Sequence, residues 1–140
     1  MAKSISRWLI ALIAGWAVPA YSAEWVQVAV STTEAVWYLD TDSVQEVKDG
    51  YATRAIKAWV KIDYSKDPSE TARQSKRLYY FKCDEEKAKT ITVVRYRPDG
   101  TVINSYSPSY ASYEPVVPES VLNEATIGAC LIYKWQKATS

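Results

Sequence analysis

The stretch Ile56-Lys57-Ala58-Trp59-Val60-Lys61-Ile62 decides the reading of this chain. Apolar residues alternate with lysine and tryptophan. Successive side chains of a strand point to opposite faces, so this period of two predicts a strand with two unlike faces. Ile56, Ala58, Val60 and Ile62 face a core. Lys57, Trp59 and Lys61 face away from it. The strand is expected to run from Tyr51 to Asp63, after the turn pair Asp49-Gly50. Tyr64 to Glu70 is polar, contains Pro68 and reads as a loop.

A second strand of the same kind is expected over Arg73 to Cys83. If Cys83 reaches inward, Tyr79 and Phe81 share its side, and Lys76, Leu78, Tyr80 and Lys82 face out. Pairing the two strands then gathers Lys57, Trp59, Lys61, Lys76, Leu78, Tyr80 and Lys82 on one basic and aromatic face. Such a face suits an acidic protein segment, a glycosaminoglycan or a second copy of the sheet. The plainer reading is an ordinary wet sheet face on which lysine stems shield Trp59.

The flanking segments continue the pattern. Trp25 to Val30 and Val36 to Asp40 read as strands around a turn at Thr32 to Glu34. Thr41 to Val47 is less regular. Ile91 to Arg97 and Thr101 to Ser105 form a hairpin around Pro98-Asp99-Gly100. Ser107 to Pro118 carries three prolines and the tyrosines Tyr110 and Tyr113. With Tyr106, these offer either a binding loop or a cover for the open end of a sheet. Beyond it, Val121, Leu122, Ala125, Ala129 and Ile132 fall at helical spacing, with Ser120 as a candidate cap. The expected architecture is α+β: an antiparallel sheet of about six strands packed with a C-terminal helix.

The chain has 140 residues, 17 Lys+Arg, 16 Asp+Glu and no histidine. The length suits one domain with a real core. The near-neutral charge, and the acids that interrupt the basic run from Lys76 to Arg97, argue against nucleic acid as a partner. Without histidine, Ser-His-Asp and Cys-His catalysis and histidine-ligated metals are excluded. Asp40 and Asp42 are a close carboxylate pair, but at a strand-to-turn junction they are expected to make turn hydrogen bonds. No catalytic constellation, metal site or cofactor is expected, and the chain is read as a non-enzyme.

Residues 1–22 read as a secretory signal peptide. Lys3 and Arg7 precede an apolar run from Trp8 to Val18, and Ala20-Tyr21-Ser22 fits a cleavage site. The run is short for a membrane span, which needs about 20 residues. The mature domain is then 23–140, secreted across the inner membrane, with no later span expected. Loss of Lys3 and Arg7 turns the formal charge of +1 into a small negative one. The two cysteines, Cys83 and Cys130, are most simply one disulfide in an exported domain, joining a strand end to the helix.

The order of landmarks resembles a known family. They are Trp25-Val26-Gln27-Val28, then Tyr38, Asp40, Ser43 and Val44, then Ala58 to Tyr64 and Cys83-Asp84. Pro115 to Val121 and Ala129-Cys130 close the series. This resembles the surface-adhesin protein E family of Gram-negative bacteria across nearly the whole mature chain. The resemblance implies a small sheet packed with helix and a family disulfide that carries over to Cys83 and Cys130. It also implies attachment to host extracellular-matrix or other proteins at the cell envelope. The founding type is lipid-anchored in the outer membrane, whereas no cysteine lies near this cleavage site. That departure keeps a soluble periplasmic accessory domain, self-associating as a homodimer, as the alternative role.

Overall fold

The computed structural model describes Gly15, residues 23–51 and residues 53–140. The signal-peptide reading of residues 1–22 lies outside the described residues. Among the described residues, eight strands form one sheet: β1 (Trp25–Val30), β2 (Val36–Asp40), β3 (Gln45–Lys48), β4 (Arg54–Asp63), β5 (Gln74–Lys82), β6 (Lys87–Tyr96), β7 (Val102–Tyr106) and β8 (Glu114–Pro115). One helix, α1 (Val121–Thr139), follows. The order is β1-β2-β4-β5-β6-β7, with β3 also on β4 and β8 also on β6, and all pairings are antiparallel. Six strands therefore make the continuous path that the sequence predicts, and two short ones are added to it.

The centre is three long strands, β4, β5 and β6. Each flank consists of two short segments laid end to end. β2 pairs with residues 60–63 of β4 and β3 with residues 54–57. Between them the chain makes a short 3-10 turn over Thr41–Ser43, and Ser43 Oγ accepts a hydrogen bond from Trp59 N at 2.8 Å. A side chain thus satisfies the β4 amide where no strand reaches it. Asp40 caps this turn by accepting from Asp42 N at 3.1 Å, and it also accepts from Glu24 N. The Asp40–Asp42 pair is therefore a turn device, as its position predicts.

Gly50 adopts φ +82°, which the hairpin between β3 and β4 requires and which side chains resist. β6 begins at Lys87, earlier than the apolar run at Ile91 suggests. The Ala88-Lys89-Thr90 stretch is polar and weakly strand-forming alone, but β5 holds it as a ladder partner.

The alternation of β4 is obeyed. Ala58, Val60 and Ile62 are essentially inaccessible, as are Phe81 on β5 and Leu39 on β2. The helix covers this face. Ala125 and Ala129 are fully buried in the shared core, with Leu122, Ile132 and Tyr133 packed beside them. Small residues let the helix sit close. A Cβ on Gly128 would stand 3.2 Å from Leu39 Cδ2 and 3.6 Å from Val28 Cγ1. Ser120 caps the helix, its hydroxyl accepting from Asn123 N at 3.1 Å. Glu119, just before the cap, stands outside the helix at φ +64°.

The Cys83–Cys130 disulfide is formed, with Cα atoms 5.9 Å apart and a sequence separation of 47. It ties the end of β5 to the middle of α1. The architecture is thus α+β, with helix on one sheet face only among the described residues.

Candidate functional site

The second face of the sheet carries the residues singled out by the alternation. β4 and β5 pair so that Lys57 lies opposite Tyr80, Trp59 opposite Leu78 and Lys61 opposite Lys76. Lys82 continues the same side of β5. The structure therefore brings all seven together in consecutive rows. Each of the seven is half-buried. The face is a packed surface rather than a freely solvated one.

Other strands extend it. Trp25 of β1 and Tyr38 of β2 lie on this side, and Lys61 Nζ sits 4.8 Å and 4.7 Å from their ring centres. Lys76 Nζ is 5.9 Å from the Trp25 ring and 5.3 Å from that of Tyr96 on β6. Ammonium groups are attracted to the negative faces of aromatic rings, so these lysines have a defined resting place. Burial lowers the Lys61 pKa, and the like charge of Lys76 lowers it further. Trp25, Tyr38 and Tyr96 escaped the sequence reading because each comes from a separate strand. Trp25 shares a face with Gln27 in the β1 alternation, which is the local sign that it turns away from the core.

The opposite end of the face is organised differently. Lys82 and Lys89 approach the Tyr113 ring at 4.2 Å and 4.6 Å. Tyr113 donates its hydroxyl to Asp49 Oδ2 at 2.6 Å, and Lys89 pairs with the same carboxylate. Those two bonds hold the Asp49 carboxyl below its ordinary value, Lys89 contributing most. Tyr113 is pushed up, first by burial and then by Asp49. Lys82 also meets Glu85 at 3.4 Å. Cations here are neutralised within the protein. By contrast Lys57, Lys61 and Lys76 make no salt bridge among the described residues.

The tyrosines of the proline-rich crossing divide by role. Tyr113 straps the crossing to the sheet, while Tyr110 is fully exposed at the loop tip and Tyr106 is half exposed on β7. The crossing also roofs a cleft of about 270 Å³ between Tyr79, Thr90 and Leu122. A second cleft of about 270 Å³ lies beside the disulfide, walled by Phe81, Tyr133, Arg54 and Lys134. No group of three or more acidic or sulfur side chains is placed to hold a metal ion among the described residues. No helix among them is long and apolar enough to cross a membrane.

Fold and face together define a small disulfide-stapled α+β domain with one sheet face packed and the other presenting lysines on aromatic rings. A family model described as surface-adhesin protein E matches residues 25–131, most of the chain. The chain belongs to the surface-adhesin protein E family, as its landmarks suggest. Comparison with curated proteins and with solved structures finds no match.

Proposed function

We propose that this chain is an exported, adhesin-like protein of a Gram-negative envelope that acts by binding a protein partner and not by catalysis. Host extracellular-matrix protein is the partner class that family membership favours. Residues 1–22 serve as the leader and 23–140 as the binding domain. The single observation that carries the reading is the sheet face centred on the Trp59–Leu78 pair. The helix packs on the other side, leaving aromatic and cationic side chains together on this one. Trp and Tyr are among the side chains that protein-binding hot spots favour. The lack of histidine supports a non-enzymatic role, since histidine is the commonest proton-transfer group.

The test is solid-phase binding of the purified, disulfide-bonded protein to immobilised extracellular-matrix proteins, with Trp59→Ala/Tyr80→Ala beside the parent. Loss of a central aromatic pair is expected to weaken binding by at least about tenfold. Unchanged binding and unchanged oligomeric state end the reading of this face. Cell fractionation addresses location: surface protein supports adhesion, and protein confined inside the outer membrane redirects the role to a periplasmic accessory one.

A further inference from the structure

Lys61 and Lys76 face each other directly across the β4–β5 ladder. Like charges in that position repel and weaken a sheet. Both ammonium groups lie within 6 Å of the same Trp25 ring, which brings them toward one point in front of the sheet. Neither has a carboxylate partner within salt-bridge distance among the described residues. The nearest acid along the strand is Asp63, whose carboxylate accepts from Ser65 N at 2.8 Å. Elsewhere on the face, Lys82 and Lys89 have Glu85 and Asp49. Lys57, two rows further along beside Tyr80, also lacks a carboxylate partner among the described residues, but only at the Lys61–Lys76 row do two such lysines stand opposite each other.

The next row along the strands is apolar. Trp59 lies opposite Leu78, two residues from the lysine pair on both strands. Two residues of strand span about 7 Å. An extended peptide has the same repeat, so its side chains at i and i+2 match the two rows. A carboxylate at i meets the two ammonium groups, and an apolar side chain at i+2 meets Trp59 and Leu78.

We propose that the Lys61–Lys76 pair is a carboxylate subsite, and that the face takes an extended segment of a partner protein carrying Asp or Glu followed two residues later by an apolar side chain. This rests on the preceding assignment of the face as the site of partner binding, and it names the chemistry of that partner. The apolar row favours a peptide over a sulfated polysaccharide, which has nothing to place on Leu78. Asp63 beside the pair and Asp49 at the far end of the face disfavour an anionic membrane surface.

The experiment uses the intact disulfide-bonded protein and a short labelled peptide with glutamate and leucine alternating at every second position. Fluorescence anisotropy reads binding at low and at physiological salt. Lys61→Gln/Lys76→Gln is expected to weaken peptide binding about tenfold and to flatten its salt dependence, because two ammonium groups no longer meet the carboxylate. Thermal melts of the variant check that it folds. A peptide with lysine in place of glutamate is expected not to bind. Heparin fragments and phosphatidylserine vesicles run in parallel.

Failure of the acidic peptide to bind, or equal binding to parent and double variant, overturns the proposal. Heparin or vesicle binding that depends on the two lysines, without peptide binding, also overturns it in favour of that other class. If matrix binding is lost in Trp59→Ala/Tyr80→Ala but kept in Lys61→Gln/Lys76→Gln, the face stands and the carboxylate subsite falls. If neither double variant changes matrix binding, the assignment of the face fails with it.

Discussion

Tyr113, at the end of the proline-rich crossing, donates its hydroxyl to Asp49 at the tip of the β3–β4 hairpin, across 64 positions of sequence. One contact therefore closes the crossing over the end of the sheet. The carboxylate also receives Lys89, so three segments meet at one acid. Replacing Tyr113 by Phe keeps the ring beside Lys82 and Lys89 but removes the donor. The expected loss is about 1.5–3 kcal/mol, the usual net value of a hydrogen bond to a charged group. Chemical denaturation of the variant checks it, and a midpoint equal to the parent's contradicts it.

The same acid sets a direction for pH. The Asp49 carboxyl is held below its ordinary value of 3.8, and Glu70 below 4.5 by the Ala72 amide and Arg95. A lowered folded-state pKa adds stability that is present above the unfolded value and lost as pH falls through the folded one. The melting temperature should therefore hold above about pH 4.5 and drop as the medium is acidified further. Asp49→Asn should shallow that acid-side drop while lowering stability at neutral pH. An acid limb as steep as the parent's would show that Asp49 is not a main contributor.

Cys83 and Cys130 close a long loop, and cross-links of long loops restrict the unfolded chain most. The chain-entropy model assigns such a bridge about 4 kcal/mol. Cys83→Ser/Cys130→Ser, or reduction, is expected to cost most of that amount. This is a large fraction of the total for a domain of this size. Urea titrations with and without reductant measure it. A loss under about 1 kcal/mol would mean that packing alone seats the helix.

Gly128 faces Leu39 and Val28 where the helix seats on the sheet. Alanine gains helix propensity of about 1 kcal/mol but needs Leu39 Cδ2 to shift by a few tenths of an ångström. The two effects oppose, and a near-neutral outcome is expected. Leucine has no such escape and should cost about 1–3 kcal/mol through overpacking. Thermal melts of the two variants decide it; a Gly128→Leu protein as stable as the parent would refute the close seating.

Much of this molecule is written locally in its sequence. The alternation in Ile56 to Ile62 gives the sides of β4, and Cys83 sets the phase of β5. Ser120 announces its helix because a cap needs only the residues next to it. What stayed hidden depends on distant partners. Glu114–Pro115 is too short to show a period, and it is a strand only because Lys87 and Ala88 lie beside it. Gln45–Lys48 gives no clear alternation and is held by β4. The ring partners of Lys61 and Lys76 come from β1, β2 and β6, so no window of sequence contains them. Asp49 read as a turn residue, and nothing near it foretells Tyr113.

The rings beneath the two lysines also bear on the kinetics of any encounter. A lysine free in solvent samples many rotamers and loses that freedom when a partner fixes it, at about 0.5–1.5 kcal/mol per side chain. Lys61, lodged between Trp25 and Tyr38, has already given up much of that freedom in the unbound protein. With the helix bolted behind the sheet, the front behaves as a rigid template. Such a template favours slow release once a partner is seated, more than it favours fast capture.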